Sequence, residues 1–465
     1  MILKQYYLGC LAHASYLIVD EKTGTAAVVD PQRDIDQYLA DTEAGGWNIR
    51  HVLLTHLHAD FLAGHLELRK QTGAAIHMGA HASTEFAVTP MLENMPLTFG
   101  STRLRFLETP GHTPESVCIL VDDLDKDPDR PQAVLTGDTL FIGDVGRPDL
   151  MTAVGITAEE LAGQLYDSLH GKLLTLPDET LVYPAHGAGS MCGKNLSSDT
   201  VSTLGAQRQT NYALQSMSRP EFVSMITAGQ PAAPAYFAYD AMLNSKERPT
   251  LDESLSRSLN PLTLAEVLAA QRAGAVVVDT RDPVEFCRQH LAGSVSIGLM
   301  GKYATWAGSL LDRERPILIV AEEGRQREAA VRLGRIGFDH VDGFLQDGPA
   351  AMTGQKECIS SLERIDWAEL ERRQAAGKAH LLLDVRGPGE WESGRLAGSL
   401  NVPLDQLEQR LKDVPRDQDL AVYCAGGYRS TIACSLLKAQ GYHRLTDLDG
   451  GIQAWSGPVE TGKRS

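Results

Sequence analysis

The densest group of chemistry-bearing side chains in this chain is Thr55-His56-Leu57-His58-Ala59-Asp60-Phe61-Leu62-Ala63-Gly64-His65. His56, His58 and Asp60 stand at i, i+2 and i+4, and all three can ligate a metal. Further along come Glu108-Thr109-Pro110-Gly111-His112-Thr113, then Thr136-Gly137-Asp138-Thr139, then Tyr183-Pro184-Ala185-His186-Gly187. Imidazole and carboxylate donors in this order are the set that a zinc or iron site draws on. His112 or His186 alone would read as an ordinary turn residue, but four separate segments that all offer ligands read as one site. Cys192 follows His186 in a loop with glycines on both sides. The glycines could hold it near the metal mouth as a functional thiol, with a buried bystander thiol as the other reading.

A second constellation is Val422-Tyr423-Cys424-Ala425-Gly426-Gly427-Tyr428-Arg429-Ser430. A cysteine at a strand end, wrapped by the loop Ala425, Gly426, Gly427 and Tyr428, meets backbone N–H groups and the N-terminus of the helix that follows. Those donors favour the thiolate, and Arg429 adds a fixed positive charge. Such a cradle suits a nucleophile that accepts one sulfur atom and holds it as a covalent persulfide. The Cys-x4-Arg spacing is one residue short of a Cys-x5-Arg loop that encloses a phosphate, so a sulfane sulfur fits better than a phosphoryl group. Cys434, on the helix itself, reads as core.

These residues need elements to position them. Tyr16–Val19 and Thr25–Val29 read as paired strands, Asp34–Gly45 as a helix ending at glycine, and His51–Thr55 as a short buried strand feeding the histidine loop. His112, Asp138 and His186 each follow a strand-like run beside small residues that let the backbone turn sharply. The pattern turns helical and polar around residues 195–230. Gly229–Pro234 and Ser245–Ser254 then break it, which places a boundary near 255.

Beyond that boundary the chain repeats itself. Asp279-Thr280-Arg281 with Glu285 recurs as Asp384-Val385-Arg386 with Glu390, and Leu291–Ser294 recurs as Leu396–Ser399, both at an offset of 105 residues. This is a duplicated α/β module of ~100 residues, the size of a small independent domain. Aligning Arg327 with Arg429 puts Glu322 where Cys424 stands. A carboxylate cannot form a persulfide, and Cys287, well before that loop, does not restore the motif. The first copy is therefore expected to serve as spacer, docking element or oligomer contact.

A length of 465 residues implies about three domains at ~100–200 residues each. With 43% hydrophobic and 22% charged residues the chain is globular. A net charge of −17 without a basic run argues against nucleic acid or anionic membrane as partners. No signal peptide and no membrane-length apolar run is evident. Seven scattered cysteines point to free thiols in a reducing compartment, so a cytoplasmic location is expected.

With these motifs in view, residues 1–250 resemble the metallo-β-lactamase superfamily. Gly143-Asp144-Val145-Gly146-Arg147-Pro148-Asp149 is similar to its persulfide dioxygenase branch. The resemblance implies an N-terminal αββα sandwich with a metal held by His56, His112 and Asp138. Hydrolases of the superfamily usually carry a histidine where this chain has Phe61, so a two-metal hydrolytic site lacks one ligand. One mononuclear Fe(II) is implied, with zinc as the alternative. His58, Asp60 and His186 would then orient ligands or steer protons. Arg147 would attract a thiolate or the carboxylate of a thiol carrier, unless it is a structural ion pair. The last module, with Asp449-Gly450-Gly451-Ile452-Gln453-Ala454-Trp455, is similar to rhodaneses along its length.

The expected protein is thus an α/β multidomain chain. It comprises a dioxygenase domain at 1–255, a Cys-less rhodanese-like domain at 256–355 and a rhodanese sulfurtransferase domain at 356–465. It resembles persulfide dioxygenase–sulfurtransferase fusions, which implies oxidation of a small thiol persulfide such as that of glutathione or coenzyme A by O2 to sulfite. Cys424 and Arg429 would then form or use thiosulfate, in sulfide detoxification. A homodimer or tetramer is expected. The alternatives are a zinc thioester hydrolase of the glyoxalase II kind and a non-enzymatic persulfide sensor or carrier built on Cys424.

Overall fold

The computed structural model describes residues 1–150, 155–230 and 233–462, and the chain divides into two units. One unit holds residues 1–253 with 334–337; the other holds 254–333 with 338–465.

In the first unit the strand His13–Asp20 shows how sequence becomes layers. Successive side chains of a strand point to opposite faces. Ala14, Tyr16 and Ile18 join Leu104, Phe106, Ile119 and Leu135 in one buried cluster, whereas Leu17 and Val19 join Tyr38, Val52 and Leu68 in another. Every residue of the strand is buried, which requires cover on both faces. It sits in a six-stranded sheet that runs in chain order: Ile2–Leu8, His13–Asp20, Thr25–Val29, Asn48–Leu53, Ala75–Gly79 and Thr89–Met91. A second six-stranded sheet lines up Ser202–Thr203, Leu181–Pro184, Ala133–Gly137, Val117–Asp123, Thr102–Glu108 and Leu97–Phe99. The helices Asp36–Gly45 and His65–Thr72 cover the first sheet, and Ala158–Gly171 and Arg219–Thr227 cover the second. The result is the αββα sandwich.

The expected strand pair is an antiparallel ladder joining Tyr16 to Val29 and Asp20 to Thr25. The strand expected at His51–Thr55 instead spans Asn48–Leu53. It stops short because the Thr55 N–H turns to the Asp30 carboxylate at 2.8 Å.

The second unit contains two five-stranded parallel sheets. Their orders are Pro261–Leu262, Val341–Leu345, Ile317–Val320, Val276–Asp279, Val295–Ser296 and Glu363–Ile365, Leu445–Leu448, Leu420–Tyr423, Leu381–Asp384, Leu400–Asn401. Counted along the chain the two orders are the same, so the sequence repeat is a repeat of topology. The repeated landmarks perform the same structural work in both copies. Arg281 pairs with Asp279 at 2.5 Å and Arg386 with Asp384 at 2.6 Å, all four groups buried. The Ser294 and Ser399 hydroxyls close the same turn onto the carbonyls of Leu291 and Leu396.

One expectation fails. Ser245–Ser254 reads as a break, yet Leu251–Ser258 is a helix. Thr250 and Glu253 begin it: the backbone N–H and hydroxyl of Thr250 both donate to the Glu253 carboxylate, at 2.8 and 3.0 Å. This is half of a capping box, placed immediately after a proline. The division between the two units, at 253/254, lies close to the boundary expected near 255 but falls inside this helix rather than in a linker. Pro231 and Ala232, in the other break, lie outside the described residues. Among the described residues no helix is long and apolar enough to cross a membrane.

Candidate metal centre and candidate cysteine cradle

In the first unit the loops after four strands converge. His56 follows Asn48–Leu53, His112 follows Thr102–Glu108, Asp138 follows Ala133–Gly137, and His186 follows Leu181–Pro184. Two glycines permit the approach. Gly137 has φ +52°, and a Cβ there would come within 2.6 Å of the Thr55 hydroxyl. A Cβ on Gly146 would run into the Asp138 carbonyl and lie 3.1 Å from His112 Nδ1.

Each histidine is held by its outer nitrogen. The Thr55 hydroxyl donates to Asp30 at 2.8 Å, so it accepts from His56 Nδ1 at 3.0 Å. His112 Nδ1 donates to the Arg147 carbonyl at 2.9 Å, and His186 Nδ1 donates to the Ala12 carbonyl at 3.1 Å. A protonated Nδ1 leaves Nε2 with a lone pair, the tautomer a metal ligand needs. All three Nε2 atoms face the Asp138 carboxylate, at 3.9, 3.4 and 3.6 Å. Neither oxygen of Asp138 and not Nε2 of His186 has a hydrogen-bond partner among the described residues, and both side chains are buried. Buried acceptors facing buried lone pairs are costly unless a cation stands between them. The donor atoms of His56, His112 and Asp138 lie within 4.8 Å of one another. This is a metal-binding site, and its residues fit a metal ion.

Two further donor sets adjoin it: His58, Asp60 and His186, and Asp138, His186 and Cys192. Cys192 is buried, and burial followed by the charges of Asp60 and Asp138 pushes its thiol well above the ordinary value. Burial likewise pushes the Asp60 carboxyl up. For His56, burial and then its neighbouring histidines hold the imidazole well below its ordinary value. His58 goes the other way. Burial opposes its charge, but Asp30 at 2.9 Å, with Asp60 and Asp138, outweighs that and raises it. Phe61 is buried with its ring 4.5 Å from that of His58 and 4.0 Å from that of His13, and it offers no ligand. Arg147 is buried, clasps Asp149 at 2.8 and 2.6 Å and reaches the Met191 carbonyl at 3.3 Å. That is the ion-pair geometry.

Three residues here were not singled out in the sequence. Asp30, at φ +49°, closes the strand Thr25–Val29 and holds both Thr55 and His58. Asn244 clamps the histidine loop: it donates to the carbonyls of His58 and Phe61, each at 2.8 Å, and accepts from the Ala63 N–H at 2.9 Å. His13 packs its ring against Phe61 beside His58 and His186. An acidic residue ending an apolar strand was the available signal for Asp30. Asn244 and His13 carried none.

In the second unit Cys424 ends the strand Leu420–Tyr423 and is 1% exposed. The Gly427 N–H donates to its sulfur at 3.1 Å, and the Ser430 hydroxyl lies 3.8 Å away. Gly427 adopts φ +95° and begins the helix Tyr428–Ala439. The N–H groups of Ile452 and Gln453 donate to the carbonyls of Cys424 and Ala425, at 2.8 and 3.0 Å. Arg429 is not an isolated charge: it holds Glu390 in a two-pronged pair at 2.6 and 2.7 Å. Glu390, noticed only as a repeat landmark, belongs to the rim of this site. In the first copy Glu322 occupies the matching stretch and is exposed. Cys434 is fully buried on its helix.

The chain matches the family model of the metallo-beta-lactamase superfamily over residues 8–186 and that of the rhodanese-like domain over 263–348 and 366–458. It is 31% identical over 233 residues to a hydroxyacylglutathione hydrolase of Rhodospirillum rubrum, covering 49% of this chain and 80% of that one. It is 28% identical over 227 residues to the mitochondrial persulfide dioxygenase ETHE1 of Bos taurus, again over 49% and 80%. Over 95 residues it is 38% identical to a sulfurtransferase of Allochromatium vinosum, covering 20% of this chain and 89% of that one. A crystal structure of a metallo-beta-lactamase from Staphylococcus aureus superposes with a TM-score of 0.66 at 29% identity, over 74% of this chain and 98% of the other.

Proposed function

This chain belongs to the metallo-beta-lactamase superfamily and carries two rhodanese-like domains, and from that premise we propose that it is an iron-dependent persulfide dioxygenase joined to a sulfurtransferase. The N-terminal domain oxidises a small thiol persulfide with O2 to sulfite and free thiol. The last domain carries a sulfane sulfur on Cys424 to form, or to draw on, thiosulfate. The frame is 1–255, 256–355 and 356–465, in the cytoplasm, and the role is sulfide detoxification.

The observation that carries the reading is Phe61. It fills with a ring the place from which a second metal would take a ligand, and His58 turns its Nε2 to Asp30 at 2.9 Å. What remains facing inward with free lone pairs is led by His56, His112 and Asp138, two imidazoles and a carboxylate. A ferrous ion bound there would supply open coordination positions and the redox capacity to bring a persulfide sulfur and dioxygen together. The chain's own residues do the rest. Thr55, the Arg147 carbonyl and the Ala12 carbonyl fix the tautomer of each imidazole. Asp60 and His186, 3.5 Å apart, stand where a proton can be held or passed. At the other site the Gly427 N–H supports negative charge on the Cys424 sulfur, while Glu390 fixes Arg429 at its rim. Joining both activities in one chain raises the local concentration of the intermediate near its consumer.

A second reading, zinc-dependent thioester hydrolysis, draws on the His58, Asp60 and His186 set and on the likeness to hydroxyacylglutathione hydrolase. The deciding experiment is O2 uptake by the iron-loaded protein with glutathione persulfide, with sulfite and thiosulfate counted for wild type and Cys424→Ser. We expect Cys424→Ser to consume O2 and to release sulfite in place of thiosulfate. Absence of O2 uptake would leave hydrolase or carrier roles, and unchanged thiosulfate output would refute the division of labour.

A further inference from the structure

Tyr428, the residue before Arg429 in the Cys424 loop, does not face its own domain. Its hydroxyl donates to the carbonyl of Gly298 at 2.7 Å, in the first rhodanese-like domain. Its ring lies over Gly301 of the same stretch, where a Cβ would collide with it, and a Cβ on Gly298 would touch the ring at 3.5 Å. The niche is built rather than incidental. Arg332, buried on the helix Gln326–Gly334, donates to the carbonyls of Leu299 at 2.6 Å and Gly301 at 3.3 Å and holds that stretch in place. Next to it the Ser296 N–H donates to the Ser435 hydroxyl at 3.0 Å, on the helix that Tyr428 begins. Burial keeps the Tyr428 phenol above its ordinary value, so its hydroxyl stays a donor.

What Tyr428 can control is its neighbour. Gly427 is joined to it by one peptide bond, and the Gly427 N–H is the backbone donor on the Cys424 sulfur at 3.1 Å. The Gly427 carbonyl is tied in turn by the Thr431 hydroxyl at 2.9 Å and by Arg364 at 3.4 Å. A glycine at φ +95° has no side chain of its own to fix its orientation. We propose that Tyr428 is a positioning residue, and that the Cys-less rhodanese-like domain, by gripping it between Gly298 and Gly301, keeps the Gly427 N–H aimed at the Cys424 sulfur. That gives the first copy of the repeat a task in the chemistry of the second. The inference rests on reading Cys424 as the reactive sulfur, not on which acceptor it serves.

The test is the pH dependence of Cys424 alkylation by iodoacetamide in the full chain, followed on the Cys424 peptide by mass spectrometry. Arg429, which Glu390 and Asp384 face in turn, bears on the same sulfur, and Arg332 faces Tyr428, so these are left intact. Tyr428→Phe keeps the ring and removes the bond to Gly298. Gly301→Ala alters only the other domain. Losing a well-aimed donor to a thiolate slows alkylation at pH 7 by about tenfold in Gly301→Ala and about threefold in Tyr428→Phe, and moves the midpoint to higher pH. The turnover number of thiosulfate-to-cyanide transfer falls in step, with the KM for thiosulfate little changed. Wild-type alkylation profiles in both variants would overturn the inference. Should Gly301→Ala fail to fold, a wild-type profile in Tyr428→Phe overturns it alone. A wild type that transfers no sulfur at all would instead sink the functional reading, and the alkylation profiles would still decide this one.

Discussion

Asp30→Asn probes the support of the metal centre without touching a ligand. Asp30 is buried and takes three contacts on two oxygens: the Thr55 N–H and hydroxyl, each at 2.8 Å, and His58 Nε2 at 2.9 Å. The Thr55 N–H and His58 share one of these oxygens, and the Thr55 hydroxyl donates to the other. An asparagine carbonyl can keep the first two contacts, but its NH2 then faces the Thr55 hydroxyl and the carboxylate charge beside His58 is gone. Donor meets donor in a dry place. The buried hydrogen bond from the Thr55 hydroxyl to a charged oxygen is lost and His58 loses its counter-charge, so about 2–3 kcal/mol of stability should go. The loss depends on pH. The folded protein raises the pKa of His58, so the pair's contribution is full below the unfolded histidine value of about 6.5 and fades as pH rises through the folded value. Melting of chelator-treated protein across pH should show the wild type and variant furthest apart on the acid side and converging as pH rises. The same change loosens Thr55, which orients His56, and metal affinity by competition titration should drop about 10–100-fold. A constant gap across pH would refute the assignment of the His58 charge to Asp30. Unchanged affinity would refute the route from Asp30 through Thr55 to His56.

Phe61→His restores an imidazole beside His58, Asp60 and His186; metal analysis should then find a second equivalent per chain, with O2 uptake falling. Asn244→Ala cuts three buried hydrogen bonds of the histidine loop; denaturant unfolding should report a loss of about 2–4 kcal/mol, with metal affinity weakened as well. Equal stability in Asn244→Ala would mean that the loop holds its shape without the clamp.

The candidate metal ligands stood out in the chain because each sits next to a strand end and a turn residue, signals that are local. The same holds for Cys424, whose loop is contiguous with its strand and helix. Partners brought in from afar could not be read. Asn244 reaches Phe61 across 183 residues, and nothing around Asn244 marks it as a clamp. Glu390 was visible as a repeated residue, but its pairing with Arg429 depends on how two loops of the parallel sheet meet. The helix Leu251–Ser258 was missed because polar residues after a proline look like a linker unless the link from Thr250 to Glu253 is recognised. The repeat predicted matching topologies but not the niche for Tyr428, since duplication says nothing of how two copies touch.

Protein purified from cells supplied with both iron and zinc should be assayed for metal content and for O2 consumption with glutathione persulfide in one preparation. The account predicts about one iron per chain and uptake that scales with iron content. Two zinc ions per chain, with thioester hydrolysis and no oxygen consumption, would contradict it.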